Sequence, residues 1–169
     1  TNVWNYIMAT YSAIAHNFTP PAATTSAQVG TGAMTLIKTL TASSSGTISF
    51  QDGSSNVVMD NTYKTYIFKY IDVHPATDNV QLGFQGNVAG GADFNESITS
   101  AVFRAQLDEG NSDSNFLYNA SADQANGTSF QKLCDNGVGN GNDESMSGEL
   151  WIFNPSNTTF QTNFMAVNN

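Results

Sequence analysis

Few residues in this chain have side chains suited to chemistry. It holds two histidines, His16 and His74, and one cysteine, Cys134. A single cysteine excludes an internal disulfide framework and any multi-cysteine zinc site. Cys134 is followed by Asp135, and a neighbouring carboxylate disfavours the thiolate, so the residue reads as a small core-edge side chain. His74 precedes Pro75, and no serine stands in a G-x-S-x-G turn. A Ser-His-Asp triad therefore has no support, and His74 reads as a loop-capping or packed residue. Oxygen ligands are dense from Asp135 to Glu144. The calcium-loop pattern nevertheless fails, because Gly137 and Gly139 stand where ligands are needed and Asn140 occupies the sixth position. That segment reads as a solvated loop, as does the stretch holding Asp108, Glu109 and Asp113. Asp93, Glu96, Asp108, Glu109 and Glu149 include carboxylates enough for glycoside hydrolysis, but that reaction needs a set separation in space, which spacing along a chain cannot supply. No catalytic, cofactor-binding or metal-ligating residue is assigned. Trp4, Trp151 and Tyr118 are candidate aromatic platforms for sugars, although the alternation around Trp151 places it in the core.

The composition bounds the partners. Five Lys+Arg stand against fourteen Asp+Glu, for a net charge of −9 in 169 residues. The five cations, Lys38, Lys64, Lys69, Arg104 and Lys132, are scattered, which argues against nucleic acid and against an anionic membrane surface. No apolar run reaches the 18 residues of a membrane-spanning helix. Charged residues make up 11% of the chain and aromatics another 11%. Soluble domains average roughly 25% charged residues; here Asn, Ser, Thr, Gly and Gln supply the polarity instead. That balance fits a β-rich exterior protein and not a disordered one. Asn17, Asn95, Asn119, Asn126 and Asn157 open N-x-S/T triplets, which matter only in a eukaryotic secretory setting, for which no signal is visible.

Two regions follow from the pattern. Residues 3–15 place Trp4, Ile7, Met8, Tyr11 and Ile14 at helical spacing, though Tyr, Thr and Ile also suit a strand or an extended arm. Pro20-Pro21 ends any helix, and residues 19–33 form a Pro/Ala/Thr/Ser/Gly linker. Residues 1–33 are therefore either an anchoring arm or an edge element folded back on the domain. The first residue is Thr, consistent with a processed or incompletely represented chain.

From Met34 to Asn169 the signals are those of strands. Short alternating runs occur at 34–40 and 46–51, and further strands are expected at 65–73, 79–86, 99–107, 148–154 and 158–167. Asp52-Gly53 is a hairpin-turn signal, with Val57, Val58 and Met59 in the return strand. TYIFKYIDV (65–73) is apolar on both faces and reads as a central strand. Stretches 108–115 and 134–147 read as loops. The expected fold is all-β: an antiparallel β-sandwich, jelly-roll-like, with an N-terminal arm.

Three blocks carry a family resemblance. They are TLTASSS at 39–45, Tyr63, Tyr66 and Phe68 followed by Pro75-Ala76-Thr77-Asp78, and GELWIFNPS at 148–156. Together they resemble β-rich virion structural proteins of tailed phages, common in marine and cyanobacterial phages, which include head decoration, knob and fibre proteins. The resemblance covers most of the chain beyond the arm and brings no catalytic motif. Such proteins continue past the Asn-Pro-Ser block into further strands, so this chain is either truncated at Asn169 or completed by a neighbouring subunit.

The expectation is a non-enzymatic protein of the virion surface, without cofactor: a capsid decoration or cement protein, or a head-attached knob. Its arm would anchor it through Trp4, Tyr6, Ile7, Tyr11 and Phe18. Its partners would be other virion proteins and itself, as a homo-oligomer such as a trimer. The alternative is a tail-fibre module that recognises host surface glycans.

Overall fold

The computed structural model of the protein describes residues 34–107 and 109–169. The arm, with Trp4, Tyr6, Ile7, Tyr11, Phe18 and His16, lies outside the described residues, as does Asp108. The chain divides into two units, Thr1–Thr39 and Leu40–Asn169. The described part of the first, residues 34–39, forms no regular element, and Met34 and Leu36 are exposed.

The second unit is built of strands alone: β1 (Thr65–Val73), β2 (Gly83–Phe84), β3 (Phe103–Leu107), β4 (Ser114–Tyr118), β5 (Gln131–Lys132), β6 (Met146–Phe153) and β7 (Asn163–Asn168). All pairings are antiparallel, in a three-stranded sheet of order β1-β6-β7 and two-stranded ladders β2-β5 and β3-β4. The all-β expectation therefore holds. Among the described residues no helix is long and apolar enough to cross a membrane.

Alternation builds the core. Register pairs Phe68 with Leu150 and Ala166, and Tyr66 with Ile152 and Phe164. These residues share one face of the sheet, because side chains alternate along each strand. That face packs on Leu82, Phe84, Leu133, Cys134 and Val138, around a buried centre of Leu133, Met146 and Leu150. Phe84 meets Phe164 edge-on, with ring centroids 4.9 Å apart. Gly148 lies on the same face. A Cβ there would stand 2.7 Å from a Tyr70 ring carbon and 2.5 Å from the Val167 carbonyl, so the close approach of the strands requires glycine.

Several local expectations are corrected. Residues 65–73 form a strand with those bounds, but it is an edge of the three-stranded sheet; β6 is the centre. The ladder breaks between Tyr70 and Val73, where Asp72 takes a φ of 54° and Ile71 stands exposed. The Asp52-Gly53 hairpin is instead a run of turns. Ser54 N–H bonds to Gln51 O and Val57 N–H to Ser54 O, while the Asp52 carboxylate accepts from Met59 N–H. These local bonds take up the donors that a return strand would need. Segments 34–40 and 46–51 are not strands, though Phe50 packs edge-on against Phe68 at 5.2 Å.

Residues 79–86 contribute one bridge, Val80 to Val138, and the two residues of β2. Here the Gln81 and Gln85 amides take up neighbouring carbonyls: Asp135 O for Gln81, and Glu96, Thr128 and Ser129 O for Gln85. The two predicted loops are also shorter than read from composition. Ser114 and Asn115 open β4, and Met146, a core residue, opens β6.

Candidate functional site

His74, Glu96, Glu144 and Glu149 are each engaged by local partners. His74 is exposed and its Nε2 lies 2.9 Å from the Gly141 carbonyl, the loop-capping role. Beside it is an open cleft of about 400 Å³ lined by Asp72, His74, Asn142, Asp143, Glu144 and Ser145. The Glu144 carboxylate accepts the Gly141 N–H at 2.6 Å, so it serves to hold the loop. Among the described residues no three His, Cys, Asp or Glu side chains are grouped so as to hold a metal ion. Glu96 accepts from Val88 N–H, and Glu149 is held by Lys69 at 2.5 Å and by the Trp151 indole at 3.1 Å. These two carboxylates thus have separate partners in separate elements. Lys69 and Trp151 hold the Glu149 carboxyl below its ordinary range.

Cys134 is half-buried, and its sulfur accepts the Leu82 N–H at 3.2 Å. Its thiol is pushed up chiefly by burial, which the Leu82 bond offsets in part and Asp135 reinforces. A protonated thiol is a poor nucleophile. Asp135 itself pairs with Arg104 at 2.6 Å.

The distinctive surface features are apolar. On the β3-β4 ribbon, Phe103 pairs with Tyr118 and Ala105 with Phe116. Their side chains share one face, and all four residues are exposed. The rings of Phe103 and Phe116 are nearly parallel, 5.9 Å apart, and Tyr118 lies 5.6 Å from Phe103. The Tyr118 hydroxyl donates to Asp123, which raises the phenol's ionisation range. Asn119 closes the ribbon end by accepting from the Ser121 amide and hydroxyl. This is a flat aromatic platform with a polar rim, a surface suited to sugar CH faces or to another apolar surface. The pairing of Phe103 with Tyr118 was hidden in the sequence, because β4 begins inside a stretch that composition marks as loop.

The second apolar surface is the outer face of the three-stranded sheet. Ile67, Trp151 and Met165 lie in one cross-strand row, and Lys69, Glu149 and Val167 in the next. Trp151, expected in the core, is half-buried on this outer face, stacked 6.4 Å from Phe153. The core face of β6 is that of Met146, Leu150 and Ile152. Met165 and Val167 are 50% and 61% exposed.

Comparison of the chain with protein-family models, with curated proteins and with solved structures gave no match.

Proposed function

We propose that this chain is a non-enzymatic structural protein of a tailed-phage virion surface, a capsid decoration or cement protein or a head-attached knob. In this reading residues 34–169 form a jelly-roll-like β-sandwich. Residues 1–33 are its anchoring arm, through Trp4, Tyr6, Ile7, Tyr11 and Phe18. It works by burying strand surfaces against other virion proteins and against copies of itself.

The observation that supports this reading is the balance of apolar side chains in Leu40–Asn169. Among its described residues seven apolar ones are buried, while fifteen large ones, from Leu40 to Val167, are exposed. Protein monomers expose single apolar side chains freely, but apolar faces laid out along strands are surfaces for association. The test is a cryo-EM map of particles carrying this chain. The expected result is density for the chain on the capsid lattice, with residues 1–33 against neighbouring subunits. Its absence from the particle overturns the proposal.

A second reading, a tail-fibre module for host surface glycans, is favoured by the Phe103, Phe116 and Tyr118 platform. Location at the tail, together with glycan binding that Tyr118→Ala abolishes, would establish that reading in place of the first.

A further inference from the structure

The two edges of the three-stranded sheet differ in kind. An open edge presents unpaired N–H and C=O groups, and proteins blunt such edges with charges, bulges or breaks. The β1 edge is blunted in all three ways. Lys69 lies within it, the ladder is irregular between Tyr70 and Val73, and Asp72 adopts a left-handed backbone. The β7 edge has none of these. Its sequence is NFMAVN, and residues 150–169 contain no Asp, Glu, Lys or Arg in a chain whose net charge is −9. No described strand lies beyond it.

The register fixes which groups face outward. Ser147 and Asn169 exchange both backbone hydrogen bonds, at 3.0 and 2.9 Å. In an antiparallel ladder, bonded and non-bonded pairs alternate. The pairs of Val167, Met165 and Asn163 with β6 are therefore the bonded ones. The backbone groups of Phe164, Ala166 and Asn168 point away from β6, toward the open edge.

We infer that β7 is the site at which a second copy of this chain adds, antiparallel, across a two-fold axis through Ala166. This inference rests on the self-assembling structural reading above and names the partner and the seam. In that register Ala166 faces Ala166 of the second copy, and Phe164 faces Asn168, so every outward group of the strand finds a partner. On the outer face Met165 then stands opposite Val167 of the other copy, and Val167 opposite its Met165. Cross-strand neighbours of this type lie about 4.5–5.5 Å apart at Cβ. Both residues are exposed in the single chain, so pairing covers them. A head-to-tail arrangement, β7 on β1, would need the blunted edge; the two-fold arrangement does not. The uncharged run also lets two chains of net −9 approach where repulsion is least.

The test is the oligomeric state of the full chain in solution, by light scattering and sedimentation. The wild type is expected at twice 18.0 kDa. Ala166→Pro removes an outward N–H without removing a bond to β6, and should give a monomer. Val167→Lys changes only an exposed side chain and should weaken pairing at least about tenfold. Met165→Glu combined with Val167→Lys should restore it, because each Lys then faces a Glu across the seam. Circular dichroism confirms that each variant is folded, and Val167→Lys decides the matter should Ala166→Pro not fold.

A wild-type monomer, a trimer, or a dimer indifferent to these substitutions overturns the inference. The two proposals fail separately. A chain found on the virion but monomeric in solution rejects the seam alone, and a chain that pairs through β7 but is absent from the particle rejects the virion role alone.

Discussion

The Ser100 hydroxyl donates to Oε1 of Gln131 at 2.6 Å, which joins the segment before β3 to β5. Gln131 is 2% exposed, and its Nε2 donates to the carbonyls of Ala122 and Lys132, both at 3.0 Å. One buried amide thus satisfies polar groups from three stretches of chain. A buried polar side chain is tolerated only when its partners are in place.

Replacing Gln131 with Ala is therefore expected to cost about 1–3 kcal/mol, since the Ser100 hydroxyl and the Ala122 carbonyl would lose a partner away from water. Ser100→Ala should also cost stability, because the Gln124 backbone N–H loses its Ser100 Oγ acceptor at 2.9 Å, while Gln131 Oε1 keeps only the Gln124 side-chain amide, at 3.5 Å. Urea denaturation of both variants measures each cost.

Gly148→Ala should destabilise the sheet by about 1–3 kcal/mol, the range for overpacking a close contact. In an open strand the same change would be favourable, because glycine loses the most backbone freedom on folding. The sign therefore reports the contact of Gly148 with Tyr70 and with the Val167 carbonyl. Thermal unfolding of the variant checks it.

Tyr70 makes stability depend on alkaline pH. Burial, then Cys134 and Glu149, push its phenol from 10.0 up to about 12. Below pH 10.0 folded and unfolded chains both hold the proton, and Tyr70 takes nothing from stability. As pH rises toward about 12, the unfolded chain releases its proton first, so stability falls. The Tyr70 hydroxyl is buried without a hydrogen-bond partner among the described residues. Tyr70→Phe should then be at least as stable at neutral pH and should lose the part of the alkaline decline that Tyr70 causes. Denaturation midpoints across that pH range test both statements.

The aromatic ribbon should separate binding from folding. Phe116 is 74% exposed, so Phe116→Ala should shift stability by no more than about 0.5 kcal/mol. If the platform is a glycan site, the same variant abolishes glycan-array binding. Asp123→Asn should bring the Tyr118 phenol back toward its ordinary range, since the hydrogen bond to Asp123 is the first cause of its rise. Tyrosinate titration by NMR reads this directly.

Residues 65–73 were legible in the sequence in full, because a nine-residue run dominated by aromatic and β-branched side chains favours a strand whatever lies beside it. So were the all-β class, the loop-capping contact of His74 and the half-buried place of Cys134. The strand's neighbours were not legible. Whether β1 is central or an edge depends on which distant segment pairs with it. Here β6, some eighty residues away, is the sheet's centre, and β7 takes its other side.

The turns at 52–57 and the short β2 show the same limit. The side chains of Asp52, Gln81 and Gln85 compete with the ladder for backbone groups, and no periodicity in apolar residues reports that competition. Trp151 and Leu150 look alike in an alternating strand. Only the packing of Leu133 and Met146 onto one face decided that Leu150 is core and that Trp151 lies on the outer face. The sequence by itself determined the all-β class, the acidity and the uncharged C-terminal run, since each is a property of residue types and their local order. The tertiary structure alone decided which faces stay exposed and which edge stays open, because both depend on contacts between segments far apart in the chain.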